Sequence, residues 1–458
     1  MPPTNQGQSR LLALPRELRD AIYEAYLFVP AGYTYDFDAG KLRAAPGGQP
    51  IDLALMYTCQ QIGREMMGLA LRINVVTFTT LYTDELRTRA GRWDWLARNV
   101  LQPQAVTAAV RHLSDESFEK AMQPVDGTTF AAHAREMRPQ LRINMDGSEL
   151  LCQKVSNLTR GEVPSVYRAA ERRFMELALA DPDLQKYFDN VYVAKYVDCV
   201  PGHVPYLLKV ASKDPWSIPT EEELDRHAQQ LPSDALLGDA RYKAFWGVNR
   251  SKPRFSAAAA AIHFLTSVPA ATRIQLRKVV VHEDLMAVHA PSAHVRGLIP
   301  FCHENPALQI ERRVDLWRNC FMFAVMGQFP MFPGRWLDFT MGPDDPKEVM
   351  SAGNITVSVA KWIVEASLPT IPKAITLVLD GGPDPDLMSR LFQEVVQHDA
   401  AWQTAISRVF HSDLSLRGRT HWPYFYEGFP ELLQSMSNFQ ASASVARLSK
   451  SKGRIRLP

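Results

Sequence analysis

The chain has little cysteine for its size: Cys59, Cys152, Cys199, Cys302 and Cys320 are its only five in 458 residues. An odd, scattered set with no CxxC pair excludes a disulfide-framed scaffold and fits a reducing compartment. A dominant charge is also missing. The net charge is +2, too balanced for the concentrated basic face that phosphate neutralisation needs, so no nucleic-acid partner is expected. Long apolar runs are absent as well. The richest stretch, Phe321 to Phe332, is interrupted by Gly327 and Pro330, and it falls short of the roughly 18 residues that cross a bilayer. No membrane partner is expected, and the polar first ten residues show no apolar core of a signal peptide. These absences point to the cytoplasm or the nucleus.

What is present is an ordinary globular composition, 46% hydrophobic, 10% aromatic and 22% charged. It is too apolar for a disordered chain, and its length calls for more than one core. Residues 1–10 read as a flexible lead. From Pro15 onward, Leu18, Ile22, Ala25 and Tyr26 recur at helical spacing. Pro15 suits the first turn, and Glu17 and Asp20 suit the positive end of the helix dipole. Residues 30–50 are rich in Gly, Ala and Pro and read as a loop or short hairpin. A second helix is expected over 53–71, with Leu55, Cys59, Ile62, Met66, Leu69 and Ala70 on one face. Val75 to Thr79 is a β-branched strand.

Residues 81–250 read as a mainly helical middle region, with a strand at 191–197. Over 251–440 helices and strands alternate. Ser256 caps a helix that opens on five alanines. Strands are expected at 278–282, 308–316 and 375–379, with helices at 296–304, 355–367 and 385–410 between and after them. Alternation of this kind indicates an α/β layer. Its unequal units leave two arrangements open, a degenerate leucine-rich-repeat-like array and an irregular α/β domain. Residues 441–458 carry Arg447, Lys450, Lys452, Arg454 and Arg456 among serines and read as a basic, flexible tail.

Two ordered segments carry a family resemblance. LLALPRELRDAIY (11–23) resembles the LLxLPxELRxxIY opening of fungal F-box-like proteins. LMYTCQQIGRE (55–65) is similar to their second segment, L-x-x-x-C-R-Q-I-x-x-E, with Gln60 in place of the usual Arg. Asn74 before the strand completes the pattern. The resemblance covers 11–80 and implies an F-box-like helical module on a mixed α+β chain. F-box modules contact the adaptor subunit of cullin-type ubiquitin ligases, while domains further along the chain select a target protein. The resemblance would place Leu14, Pro15, Leu18 and Ile22 at the adaptor-facing positions. A competing role is internal: Leu18, Ile22 and Tyr26 packing on Ile62 and Met66.

The remaining chemistry-bearing residues form one dense run. His282, Glu283, His289, His294, Cys302 and His303 are of types that ligate zinc or move protons. HExxH and Cys–His knuckle spacings are both absent, so His282, His289, His294 and Cys302 rank as weak metal candidates, and no cofactor is expected. Asp380-Gly381-Gly382 follows a strand, where α/β proteins often bind ligands, yet the same residues make a turn and Asp384 a helix cap. His421 to Pro430 is an aromatic patch suited to a core end or a partner. Three readings stand: an F-box-like interaction protein, an enzyme or small-ligand binder, and a structural scaffold that binds no adaptor.

Overall fold

A computed structural model describes residues 10–94, 102–143, 161–184, 213–229, 253–321, 352–409, 426–442 and 454–457. The fold is mixed α/β. Among the described residues eight strands form one sheet, in the order β3-β2-β1-β4-β5-β6-β7-β8. They are β1 (Tyr33–Asp36), β2 (Lys41–Ala44), β3 (Gln49–Pro50), β4 (Val75–Thr79), β5 (Lys278–Glu283), β6 (Gln309–Asp315), β7 (Ile375–Asp380) and β8 (Arg454–Leu457). The five central strands run parallel, β1-β4-β5-β6-β7, and antiparallel strands close both edges. The runs of Val, Ile and Leu that mark β5 and β7 in the sequence are the strands most deeply buried.

The sheet alters the expected organisation in two places. Residues 11–80 and 251–440 are not separate cores, because Val75–Thr79 of β4 pairs residue for residue with Lys278–His282 of β5. One apolar cluster holds Tyr23, Met66 and Phe78 together with Phe264, Val281 and Leu308. The basic tail is not flexible throughout. Its residues Arg454–Leu457 form β8, with Leu457 opposite Leu377 and Arg454 opposite Asp380.

Local physics explains the joints. Gly32 has φ +69°, and a side chain there would run into the carbonyl of Val75, so only glycine lets the β1 hairpin lie against β4. The single helix expected over 53–71 is three short turns, Ala54–Tyr57, Gln60–Met66 and Leu69–Ile73. Extended backbone at Cys59 and left-handed backbone at Gly68 separate them. The helix Ala257–Ser267 is capped as expected, Ser256 accepting from Ala259 N at 2.9 Å. Its five small alanines are all buried. They let the backbone lie close to β4 and β5, while Phe264 packs with tilted rings against Tyr35 and Phe78.

The described middle region is helical, as expected. Gln102–His112, Asp115–Met122, Thr129–Ile143 and Pro164–Ala178 share a core around Phe118, Phe130 and Phe174. The strand expected at 191–197 lies outside the described residues. A third core surrounds the helix Ala352–Ala366, with Phe321, Leu379 and Phe392. Tyr426 and Phe429 are buried there, so this part of the aromatic patch seals a core, and residues 421–425 lie outside the described set. Asp384 caps the helix Pro385–Leu391 by accepting from Leu387 N at 2.9 Å.

Candidate protein-interaction face

The first helix, Arg16–Leu27, turns its Leu18, Ile22 and Tyr26 stripe away from the core. Arg19, Tyr23 and Leu27, one turn apart, are its buried residues. The helix's other large apolar side chains lie outside. Leu18 is 53% exposed, Ile22 40%, and Tyr26, Ala21 and Ala25 are exposed beside them. The expectation that Leu18, Ile22 and Tyr26 pack on Ile62 and Met66 is therefore overturned: Ile62 and Met66 are buried in the cluster that holds Tyr23 and Leu27.

A polar latch fixes this orientation. Arg19 forms a two-pronged pair with Glu65, Nε to Oε2 at 3.0 Å and Nη2 to Oε1 at 2.7 Å. Its remaining nitrogen Nη1 donates to the Leu14 carbonyl at 2.6 Å. The Tyr23 hydroxyl donates to Glu65 Oε2 at 2.8 Å, and Gln61 Nε2 donates to Oε1 at 3.1 Å. A carboxylate with four donors is strongly favoured in its charged form. Hydrogen bonding from Arg19, then from Gln61 and Tyr23, holds the Glu65 carboxyl down at about 2. The latch turns Leu18 and Ile22 outward, because residues adjacent in sequence stand about 100° apart around a helix.

Asn74 fastens the other end. Its Nδ2 donates to Leu27 O and Ala70 O, each at 2.9 Å, and to the Tyr33 hydroxyl at 3.1 Å. Its Oδ1 accepts from Val29 N at 2.8 Å. One buried side chain thus satisfies the end of the first helix and the start of the next segment at once.

The four predicted contact residues lie together at the outer end of this arrangement. Leu14 is half-buried beneath the Arg19 guanidinium, Pro15 is exposed, and Leu18 and Ile22 follow on the helix. Sequence reasoning missed the latch residues Arg19, Tyr23 and Glu65. The usable signal was a polar pair at i, i+4 inside the motif. Tyr57, 82% exposed, was missed too. It ends the turn Ala54–Tyr57, and Tyr26 reaches toward the same segment, where the Asp52 carboxylate raises its phenol.

The His/Cys run forms no comparable site. His294 is buried, with Nδ1 2.7 Å from Ser256 Oγ and Nε2 2.9 Å from His289 O. The carbonyl can only accept, so Nε2 carries the proton and Nδ1 accepts from the serine. Burial holds this imidazole well below its ordinary range, and the Arg312 charge adds to the effect. His289 is stacked on Trp93 at 5.2 Å. His282 lies half-buried on the face of β5 opposite Glu283. Cys302 is buried in the first core, where burial pushes its thiol up to about 11. Among the described residues no group of three or more His, Cys, Asp or Glu is arranged to hold a metal ion.

Glu283 and Arg312 instead lock the sheet. Glu283 accepts from Ala257 N at 3.0 Å, Ala258 N at 3.3 Å and Arg312 Nη2 at 2.9 Å. The anion-binding start of the alanine helix is thereby filled by the chain's own carboxylate. Arg312 donates further to Ser292 O at 2.8 Å and to Pro291 O, and stacks on Trp362 at 4.5 Å. No described helix is long and apolar enough to cross a membrane.

Searches against protein-family models, curated proteins and solved structures returned no match.

Proposed function

We propose that this chain is a protein-interaction protein of F-box-like character, in which the Arg16–Leu27 helix docks a ubiquitin-ligase adaptor and the larger α/β region selects a target. One observation carries the reading. The helix buries an arginine and a tyrosine on Glu65 while Leu18, Ile22 and Tyr26 stay in water. Turning the helix over would hide this stripe but would expose Tyr23 and Leu27, which the core beneath now holds. The latch holds it the other way, and contiguous exposed apolar surface marks a binding face. The family resemblance names the class of partner, since Leu14, Pro15, Leu18 and Ile22 occupy its adaptor-facing positions.

The test is titration of the purified full-length chain with a purified adaptor subunit. Saturable binding is expected, and it should be abolished in the Leu18→Asp/Ile22→Asp double variant. Both positions are exposed, so that variant should melt within a few degrees of the parent. Absence of binding by the parent chain sinks the ubiquitin-ligase reading.

A further inference from the structure

The exposed apolar ridge has two different borders. Glu17 and Glu24 are both exposed and stand seven residues apart, hence nearly in line along the helix, on the flank beyond Ala21 and Ala25. The opposite border belongs to the chain itself, where Tyr26 meets Asp52 and Leu55. Other charges of this helix are matched within the molecule, Arg16 with Asp20 at 2.7 Å and Arg19 with Glu65. Neither Glu17 nor Glu24 has an ion-pair partner among the described residues.

Their positions are unequal. Glu17 lies in the first turn, where the helix dipole welcomes a negative charge. Glu24 lies in the last turn, where the free carbonyls already concentrate negative charge, and no basic residue accompanies it. An acid placed against the dipole, with no ion-pair partner among the described residues, breaks a local rule without a gain from them. A cation from outside would supply that gain.

We infer that the partner seated on this helix is a protein whose apolar groove receives Leu18, Ile22 and Tyr26, and that it carries Lys or Arg on one rim only, facing Glu17 and Glu24. Alanines at 21 and 25 let that rim approach the helix backbone. Because the acids border one side of the ridge, charge decides which way round the groove lies. This inference rests on the docking role proposed above.

The experiment uses the full chain and the purified adaptor subunit, titrated at about 0.05 and about 0.5 M salt, where screening lengths differ several-fold. For the parent chain, affinity should fall about tenfold or more between the two conditions. The Glu17→Lys/Glu24→Lys variant should bind about tenfold or more weakly at low salt and lose the salt dependence. The Glu17→Gln/Glu24→Gln variant should fall between the two. If adaptor binding requires Leu18 and Ile22 but both charge variants match the parent at each salt, the basic rim is wrong while docking stands. If the parent chain does not bind the adaptor, docking and rim fall together. If the parent instead self-associates, with a mass that rises with concentration and collapses in Leu18→Asp/Ile22→Asp, a second copy covers the ridge and the inferred partner is wrong.

Discussion

Arg19 and Glu65 decide which side of the first helix meets water. In the folded chain Glu65 is held at about 2 against an ordinary 4.5, chiefly by the Arg19 hydrogen bonds. As pH falls, the unfolded chain takes up the proton first, so the stability owed to this carboxylate is complete above about pH 4.5 and is lost on the way down to about 2. Replacing Glu65 by Gln should lower the denaturation midpoint at pH 6, and the gap from the parent chain should close as pH approaches 2. A gap that stays constant over that range would mean the latch does not act through charge. The same residues show where sequence reading stopped. Leu18, Ile22 and Tyr26 form a stripe that reads as buried by periodicity alone. The stripe that is buried contains an arginine, which is tolerable only because Glu65 waits 46 positions away in the chain. Arg312 repeats the case. It occupies a core-facing position between Ile310 and Val314, and its partner Glu283 is on the neighbouring strand. Nothing local in either sequence announces the partner.

Elements were more legible than their orientations. β5, β6 and β7 lie within a residue or two of their expected limits, because β-branched runs bounded by turn residues leave few alternatives. The alanine helix and its Ser256 cap were equally plain. The break of 53–71 into three turns was not, since it depends on how Gly68 is held against Gln275 of a distant segment. At this scale Asn74 is the joint that matters, binding the end of the first helix, the short turn at Ala70 and the β1 hairpin. Asn74→Ala should cost about 1–3 kcal/mol, the usual penalty for leaving buried backbone groups unmatched, as measured by urea denaturation. It should also speed hydrogen exchange at Val29 and its neighbours. A loss well under 1 kcal/mol would show that the backbone groups find other partners.

For the whole molecule, the outer strands differ in what they demand of the chain. The larger region was expected to stand apart from the N-terminal module, yet β4 lies in the interior of the sheet between β1 and β5. A fragment covering 81–458 would expose the full edge of β5 and the underside of the alanine helix. It should fail to give a cooperative melt and should aggregate, and limited proteolysis of the intact chain should release no stable fragment cut near residue 80. A well-folded 81–458 fragment would overturn the shared core.

The pairing of β4 with β5 also sets a timetable for synthesis. Val75 meets Lys278, about 200 residues further along. At about 5–20 residues per second, a ribosome needs roughly 10–40 s to supply that partner. Through that interval the strand Val75–Thr79 has left the exit tunnel with one whole edge unmatched. Until β5 emerges that edge is open to the wrong neighbour, and slow codons ahead of residue 278 would lengthen the period in which it can mispair.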